Sequence, residues 1–186
     1  MPVSEEIWPT RQPVLETERL QLRPLEAEDA AIIQALAGNW AIADTTLNVP
    51  HPYNDGLAEQ WIQTHLPNYE KRHAVTYGIV LRGAALLVGV AGLGIHPRFR
   101  RGELGYWIGQ PHWKQGYATE AVVQIVDFGF KRLGLHKIHA EHLERNPASG
   151  AVLLKAGFVR EGLLRDHVTK WDRFEDVVVY GLIAKQ

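Results

Sequence analysis

The chain has 186 residues, 46% apolar and 22% charged, with 20 Lys plus Arg against 21 Asp plus Glu, for a net charge of −1 with His neutral. That length predicts one domain burying about 70% of the surface its unfolded chain exposes. The composition argues against wholesale disorder, and a near-neutral chain is not a general nucleic-acid binder. There is no cysteine, which excludes disulfides, thiolate metal sites and an acyl-cysteine intermediate.

The first ten residues carry Glu5, Glu6, Pro2 and Pro9 and lack the basic and apolar blocks of a signal peptide. No apolar run approaches the roughly 18 residues of a membrane span. The expectation is a soluble cytoplasmic protein with no membrane partner. Residues 1–15 read as an arm that Trp8 pins to the body, ahead of a single domain over 16–186. Leu20 and Leu22 alternate with Arg19, Gln21 and Arg23, a strand that Pro24 ends. A short helix is predicted over 27–37, stopped by Gly38 and Asn39. A loop over 38–56 and a helix over 57–72, with Pro67 as a break or kink, follow.

Two apolar runs, 74–81 and 86–95, form a hairpin about Arg82-Gly83-Ala84. A strand over 102–109 leads to a long helix over 117–133, whose Ala118, Val122, Ile125, Gly129 and Leu133 keep helical spacing. Gly134 ends it, with Lys131 and Arg132 at its negative end. A strand over 136–143, a helix over 147–155 and strands over 158–168 and 174–184 about a Lys170–Arg173 turn complete the chain. This alternation predicts a mixed α/β sheet with at least one parallel pair.

The segment from Gly105 to Ala121 carries the chemistry. A strand passes through a loop into a helix whose first turn holds Gly116 and Ala118, small enough for a ligand to approach the backbone. The free amides and dipole at such an end favour an anion. Lys114 adds a positive charge and Thr119 a hydroxyl. By local chemistry alone the same segment is equally a plain strand-to-helix turn. There is no P-loop and no dinucleotide glycine signature. There is no Gly-x-Ser-x-Gly either, the only serines being Ser4 and Ser149.

Trp113-Lys114-Gln115-Gly116-Tyr117-Ala118-Thr119-Glu120-Ala121 resembles the acetyl-CoA motif of the GCN5-related N-acetyltransferases (GNAT), Gln/Arg-x-x-Gly-x-Gly/Ala. Trp113 stands where that motif has Gln or Arg, a departure shared by the RimJ/RimL-type branch that acetylates ribosomal-protein N-termini. Thr17-Glu18-Arg19-Leu20-Gln21-Leu22-Arg23 resembles the opening strand of that branch. Asn146-Pro147-Ala148-Ser149 with Leu154-Lys155-Ala156-Gly157-Phe158 and Glu161-Gly162 resembles its following segment. Phe174-Glu175-Asp176-Val177 with Tyr180 resembles its last strand.

The resemblance implies a mixed, mostly antiparallel sheet with a splayed parallel pair, 102–109 and 136–143, flanked by helices. Acetyl-CoA would lie in the splay as cosubstrate, with no metal. Its pyrophosphate would meet the backbone from Gln115 to Thr119, including Gly116, Tyr117 and Ala118, with Lys114 nearby. Its pantetheine arm would pair with the backbone of Trp107 and Ile108 and bond Asn146, and Lys155 would reach the nucleotide phosphate or stay solvated.

The implied reaction is direct attack of a primary amine, a protein N-terminal α-amine or a small amine such as an amino acid, polyamine or aminoglycoside. The state is monomeric or homodimeric. Glu103 is the implied base, Ser149 the thiolate's acid and Tyr106 the alternative acid, with the oxyanion on an N–H near Trp107 or Ile108. Each has a plainer reading: Glu103 as a strand-edge charge, Ser149 as a helix-start hydroxyl, Tyr106 as packing. A non-catalytic acyl-CoA-binding module is the competing function. His136, His139 and His142 have no cysteine or paired acids beside them, which disfavours zinc. Arg98, Arg100 and Arg101 form a basic loop placed near the cleft. The loop 38–56 and the 167–174 turn, with Trp40, Tyr53 and Trp171, are placed on the acceptor side.

Overall fold

The computed structural model describes residues 8–185; the acidic pair Glu5 and Glu6 lies outside them. The chain forms one eight-stranded sheet in the order β1-β2-β3-β4-β5-β6-β8-β7. The strands are β1 (Leu15–Glu16), β2 (Leu20–Arg23), β3 (Ala74–Leu81), β4 (Leu86–His96), β5 (Arg101–Ile108), β6 (Lys137–Leu143), β7 (Val159–Lys170) and β8 (Arg173–Ile183). All neighbours are antiparallel except β5 and β6. This is the mixed, mostly antiparallel sheet expected. The last strand inserts between β6 and β7, closing a hairpin through Trp171 and Asp172, both with positive φ.

Two apolar layers cover the sheet. On one face α5 (Tyr117–Lys131) and α6 (Pro147–Lys155) close the main core. There Leu20, Tyr77, Leu93, Ile125 and Ile138 are fully buried. Alternate residues of β3 to β5 face the other way. Val80 and Leu87, with half-buried Trp107, pack under α1 (Ala30–Ala37) and α3 (Leu57–Gln63). Strand alternation therefore sends Tyr106 and Trp107 into different layers.

Two expectations are corrected. The 38–56 segment contains a short helix, α2 (Trp40–Thr45), capped by the Asn39 side chain accepting from Ala41 N–H. The predicted 57–72 helix is two helices, α3 and α4 (His65–Glu70). The break falls at Thr64 rather than at Pro67. Pro67 has no amide to bond the carbonyl four residues earlier, Gln63, so the ladder fails there. The arm is fixed from Trp8 onward. Trp8 packs on Tyr69 at 5.2 Å between ring centres, and Tyr69 Oη donates to the Pro9 carbonyl at 2.7 Å.

Gly89 sets the closeness of β4 and β5. A Cβ there would collide with the Trp107 carbonyl oxygen and lie 3.0 Å from Ile108 Cα. Both are backbone, which no rotamer change moves aside. Gly89→Ala is expected to cost about 1–3 kcal/mol of stability. Urea unfolding measures it; an unchanged midpoint would show that β5 shifts freely.

Candidate active site

The site begins where the parallel pair ends. Register pairing runs from Arg101↔Lys137 to Leu104↔Ala140 and stops, although β5 continues to Ile108 and β6 to Leu143. β5 stays paired with β4 along its whole length. Among the described residues its other edge is therefore unpaired from Gly105 to Ile108. The Gly109 amide donates to Val88 carbonyl at 2.8 Å. Antiparallel alternation then turns the backbone groups of Trp107 toward β4 and those of Tyr106 and Ile108 into the gap. The Ile108 carbonyl takes the Trp113 indole N–H. The departure from the motif at Trp113 thus has a local use, holding the loop after β5.

Two bridges span the gap, one on each face. On the α5–α6 side, Tyr106 reaches from β5 to the first turn of α6. Its hydroxyl lies 2.7 Å from Ser149 Oγ and donates to Ser149 carbonyl at 3.0 Å. Tyr106 and Ser149 are therefore joined in one hydrogen-bonded unit. Burial pushes the Tyr106 hydroxyl up to about 12, against a smaller lowering from Ser149. On the other face α2 lies across the opening. Asn39 Nδ2 donates to Gln110 Oε1 at 2.8 Å, beyond the end of β5. Arg145 Nη1 donates to Asp44 Oδ2 at 2.8 Å, and Asn146 Nδ2 to Thr45 carbonyl at 3.2 Å, beyond the end of β6. Asn146 Oδ1 accepts from Ser149 N–H at 3.3 Å. Asn146 thus caps α6 and ties it to α2.

The start of α5 is shaped by two residues in the left-handed region. Gly116 sits at φ +81° and Lys114 at +61°. The first backbone bond of the helix joins Glu120 N–H to Gly116 carbonyl, leaving the amides of Tyr117, Ala118 and Thr119 directed out of its end. Lys114 and Gln115 are exposed, and Ala118 is half-buried against the main core. Gly116, Thr119 and Lys155 line one groove of about 550 Å³ with Thr17 and Arg19. Lys155 thus lies beside the start of α5.

Thr17, Arg19 and Glu120 form a latch whose role the motifs left unassigned. Glu120 accepts from Thr17 Oγ1 at 2.6 Å, Arg19 N–H at 3.0 Å and Arg19 Nε at 2.7 Å. Arg19 Nη1 also donates to Gln115 carbonyl at 2.9 Å, and its guanidinium lies 4.8 Å from the Tyr117 ring centre. An acid in the first turn of the helix and a strand motif bearing Thr and Arg were the available signal. Burial alone would raise the Glu120 carboxyl; the Thr17 and Arg19 bonds outweigh it and hold the group below its usual range.

On the α2 face Glu103 is 57% exposed at its side chain, with its Oε2 3.8 Å from His139 Nε2. Gly94 and Gly105 beside it are also exposed. Trp40 stacks on Trp171 at 4.7 Å, and Trp171 Nε1 donates to Asp44 Oδ1 at 3.0 Å. The β7–β8 turn thereby docks on α2, while Tyr53 belongs to the second core layer. The basic loop is misplaced by the sequence reading. Arg100 carbonyl accepts from His136 N–H at 2.7 Å, and Arg100 Nε donates to Gly134 carbonyl at 2.9 Å. These contacts fix the loop at the closed end of the parallel pair, away from the gap.

Comparison with known proteins places this geometry. The acetyltransferase (GNAT) domain family matches residues 19–159. The uncharacterized N-acetyltransferase YoaA of Bacillus subtilis strain 168 is 34% identical over 172 residues, 92% of this chain and 97% of that protein. The spermidine N(1)-acetyltransferase of Vibrio cholerae is 29% identical, over 86% of this chain and 90% of its own. A structure assigned as a ribosomal-protein-serine acetyltransferase from Vibrio cholerae superposes with a TM-score of 0.77 at 28% identity, covering 92% and 97% of the two chains.

Glu120→Gln is expected to cost about 1–2 kcal/mol at pH 7 through the weakened latch. A carboxyl held low in the folded state stabilises above its unfolded value of about 4.3 and loses that contribution as pH falls through its native value. The gap between wild type and variant therefore narrows below about pH 4. Urea titrations at several pH values read it; a gap independent of pH would contradict the latch.

Proposed function

The chain belongs to the GNAT acetyltransferase family, in its RimJ/RimL-like branch, and is an acetyl-CoA-dependent N-acetyltransferase; within that activity we propose that its acceptor is the α-amine at the end of a peptide chain. The observation that carries this reading is the open floor around Glu103. Gly94 and Gly105 present no side chain there, and Glu103 itself is more than half exposed. A peptide end can lie across such a floor, whereas a small amine needs polar groups enclosing it. The acceptor chemistry agrees. An α-amine with a pKa of about 8 is roughly a tenth neutral at pH 7, against less than about 0.1% for a lysine.

The residues present fit acetyl-CoA. The free amides after Gly116 suit the pyrophosphate, Lys155 and Thr119 line the adjoining groove, and the open edge of β5 suits an extended pantetheine arm. Glu103 accepts the first proton from the acceptor ammonium. The amine nitrogen then bonds the acetyl carbon, and the Ile108 N–H, turned into the gap, supports the oxyanion. As the carbon–sulfur bond breaks, the Tyr106–Ser149 unit donates a hydrogen bond to the sulfur, which ends with the second proton released by nitrogen. A phenol at about 12 is too weak an acid to protonate a thiolate of about 8.5 outright. Its part is to stabilise the leaving sulfur while that proton arrives.

Calorimetry with acetyl-CoA, CoA and ATP is expected to show binding of the first two alone. Mass spectrometry should then show one acetyl group gained by a serine-initiated peptide and not by spermidine. Acetylation of spermidine alone would reassign the acceptor to polyamines.

Tyr106→Phe is expected to lower kcat by about 10²-fold with acetyl-CoA affinity unchanged. Ser149→Ala should cost less, because Tyr106 can still turn its single hydroxyl proton from the Ser149 carbonyl to the sulfur. The reverse order would give the sulfur contact to Ser149.

A further inference from the structure

We propose that His139 is the positioning residue of the Glu103 carboxylate, its Nε2–H donating to Oε2 and turning the carboxylate toward the acceptor amine. This rests on Glu103 being the base. The two residues are register partners on the parallel strands, the last pair but one before the strands part. In-register partners share a face of the sheet, so both side chains meet at the root of the gap. Nε2 and Oε2 are 3.8 Å apart, a separation that rotation of the exposed Glu103 side chain closes. His139 is the fixed member, 14% exposed at its side chain against 57% for Glu103.

The surroundings of His139 leave Glu103 as its natural partner. On the other side its register partner is Gly181 of β8, and the space above Gly181 is filled by the Glu161 carboxylate. That carboxylate is already engaged, both oxygens accepting from Lys137 Nζ at 2.7 Å. Arg101 on β5, His96 on β4 and Glu141 on β6 are the titratable groups at the neighbouring register positions of this face. The ring's other nitrogen, Nδ1, is buried with no hydrogen-bond partner among the described residues. A proton on Nδ1 would be a buried donor without an acceptor, which folded proteins avoid more strictly than an idle lone pair. The neutral ring therefore carries its proton on Nε2, the nitrogen that faces Glu103.

A carboxylate free to rotate spends little time aimed at an incoming amine, and small misalignments of a reacting group are costly. His139→Ala is expected to lower kcat for the serine-initiated peptide or spermidine on the order of 10- to 100-fold, with acetyl-CoA affinity unchanged. His139→Gln, whose amide nitrogen reaches the Nε2 position, should restore most of the rate. In a Glu103→Gln background, His139→Ala should cause no further loss. An equal further loss there, or a glutamine variant as slow as the alanine one, would overturn the positioning role while leaving Glu103 as base. Full activity of Glu103→Gln would remove both assignments. Independently of any acceptor, ring-nitrogen NMR of the wild-type protein at pH 8, assigned by loss of the signal in His139→Gln, should show the Nε2–H tautomer. The Nδ1–H tautomer would refute the proposal.

Discussion

Everything in this molecule that bears on chemistry depends on the parting of two strands. β5 and β6 share four paired positions and then separate, although each continues and keeps its partner on the far side. A sheet interior normally uses both edges of every strand, and an unpaired edge inside a fold leaves backbone donors and acceptors without partners. Here the opening is held by bridges rather than closed. Tyr106 and Ser149 hold one face of the opening and α2 holds the other. The same four paired positions place Glu103 beside His139 at the root of the gap. Slipping β5 by one residue against β4 would send Tyr106 to the wrong layer.

The latch at Glu120 solves a different problem. A helix N-terminus can bind an anion only if its first turn is presented at a fixed angle to the ligand. The loop before α5 has two left-handed residues, Lys114 and Gly116, and no strand to brace it. Thr17 and Arg19, about a hundred residues earlier in the chain, provide the brace by bonding Glu120 and the Gln115 carbonyl. The cofactor end and the opening strand are thus one unit.

Much of this was readable in the sequence because it rests on local periodicity. The strands from Leu20 to Ile183, the hairpin at Ala74–His96 and α5 with its buried stripe all follow from alternation or helical spacing, and the four motifs identified the gap and its cofactor. What escaped rests on contacts between distant segments. α2 has only six residues, too few for a helical stripe, and is held by Gln110, Arg145 and Asn146. The break at Thr64 follows from an amide missing three residues later. The part Asn146 plays in joining α2 to α6 likewise rests on a segment about a hundred residues away. The basic loop at Arg98–Arg101 looked close to the cleft because it adjoins β5 in sequence, but it joins the end where the strands are still paired.

The groove beside Lys155 and the floor around Glu103 lie on opposite faces of the sheet, joined only through the gap between β5 and β6. With acetyl-CoA in that groove and the acceptor on that floor, as proposed, the two substrates would approach from different sides without crossing. That arrangement would impose no order of arrival, and the spent thiol could depart while the acetylated product is still bound. Turnover in such an arrangement follows random sequential kinetics, legible as competitive product inhibition between each substrate and its own product.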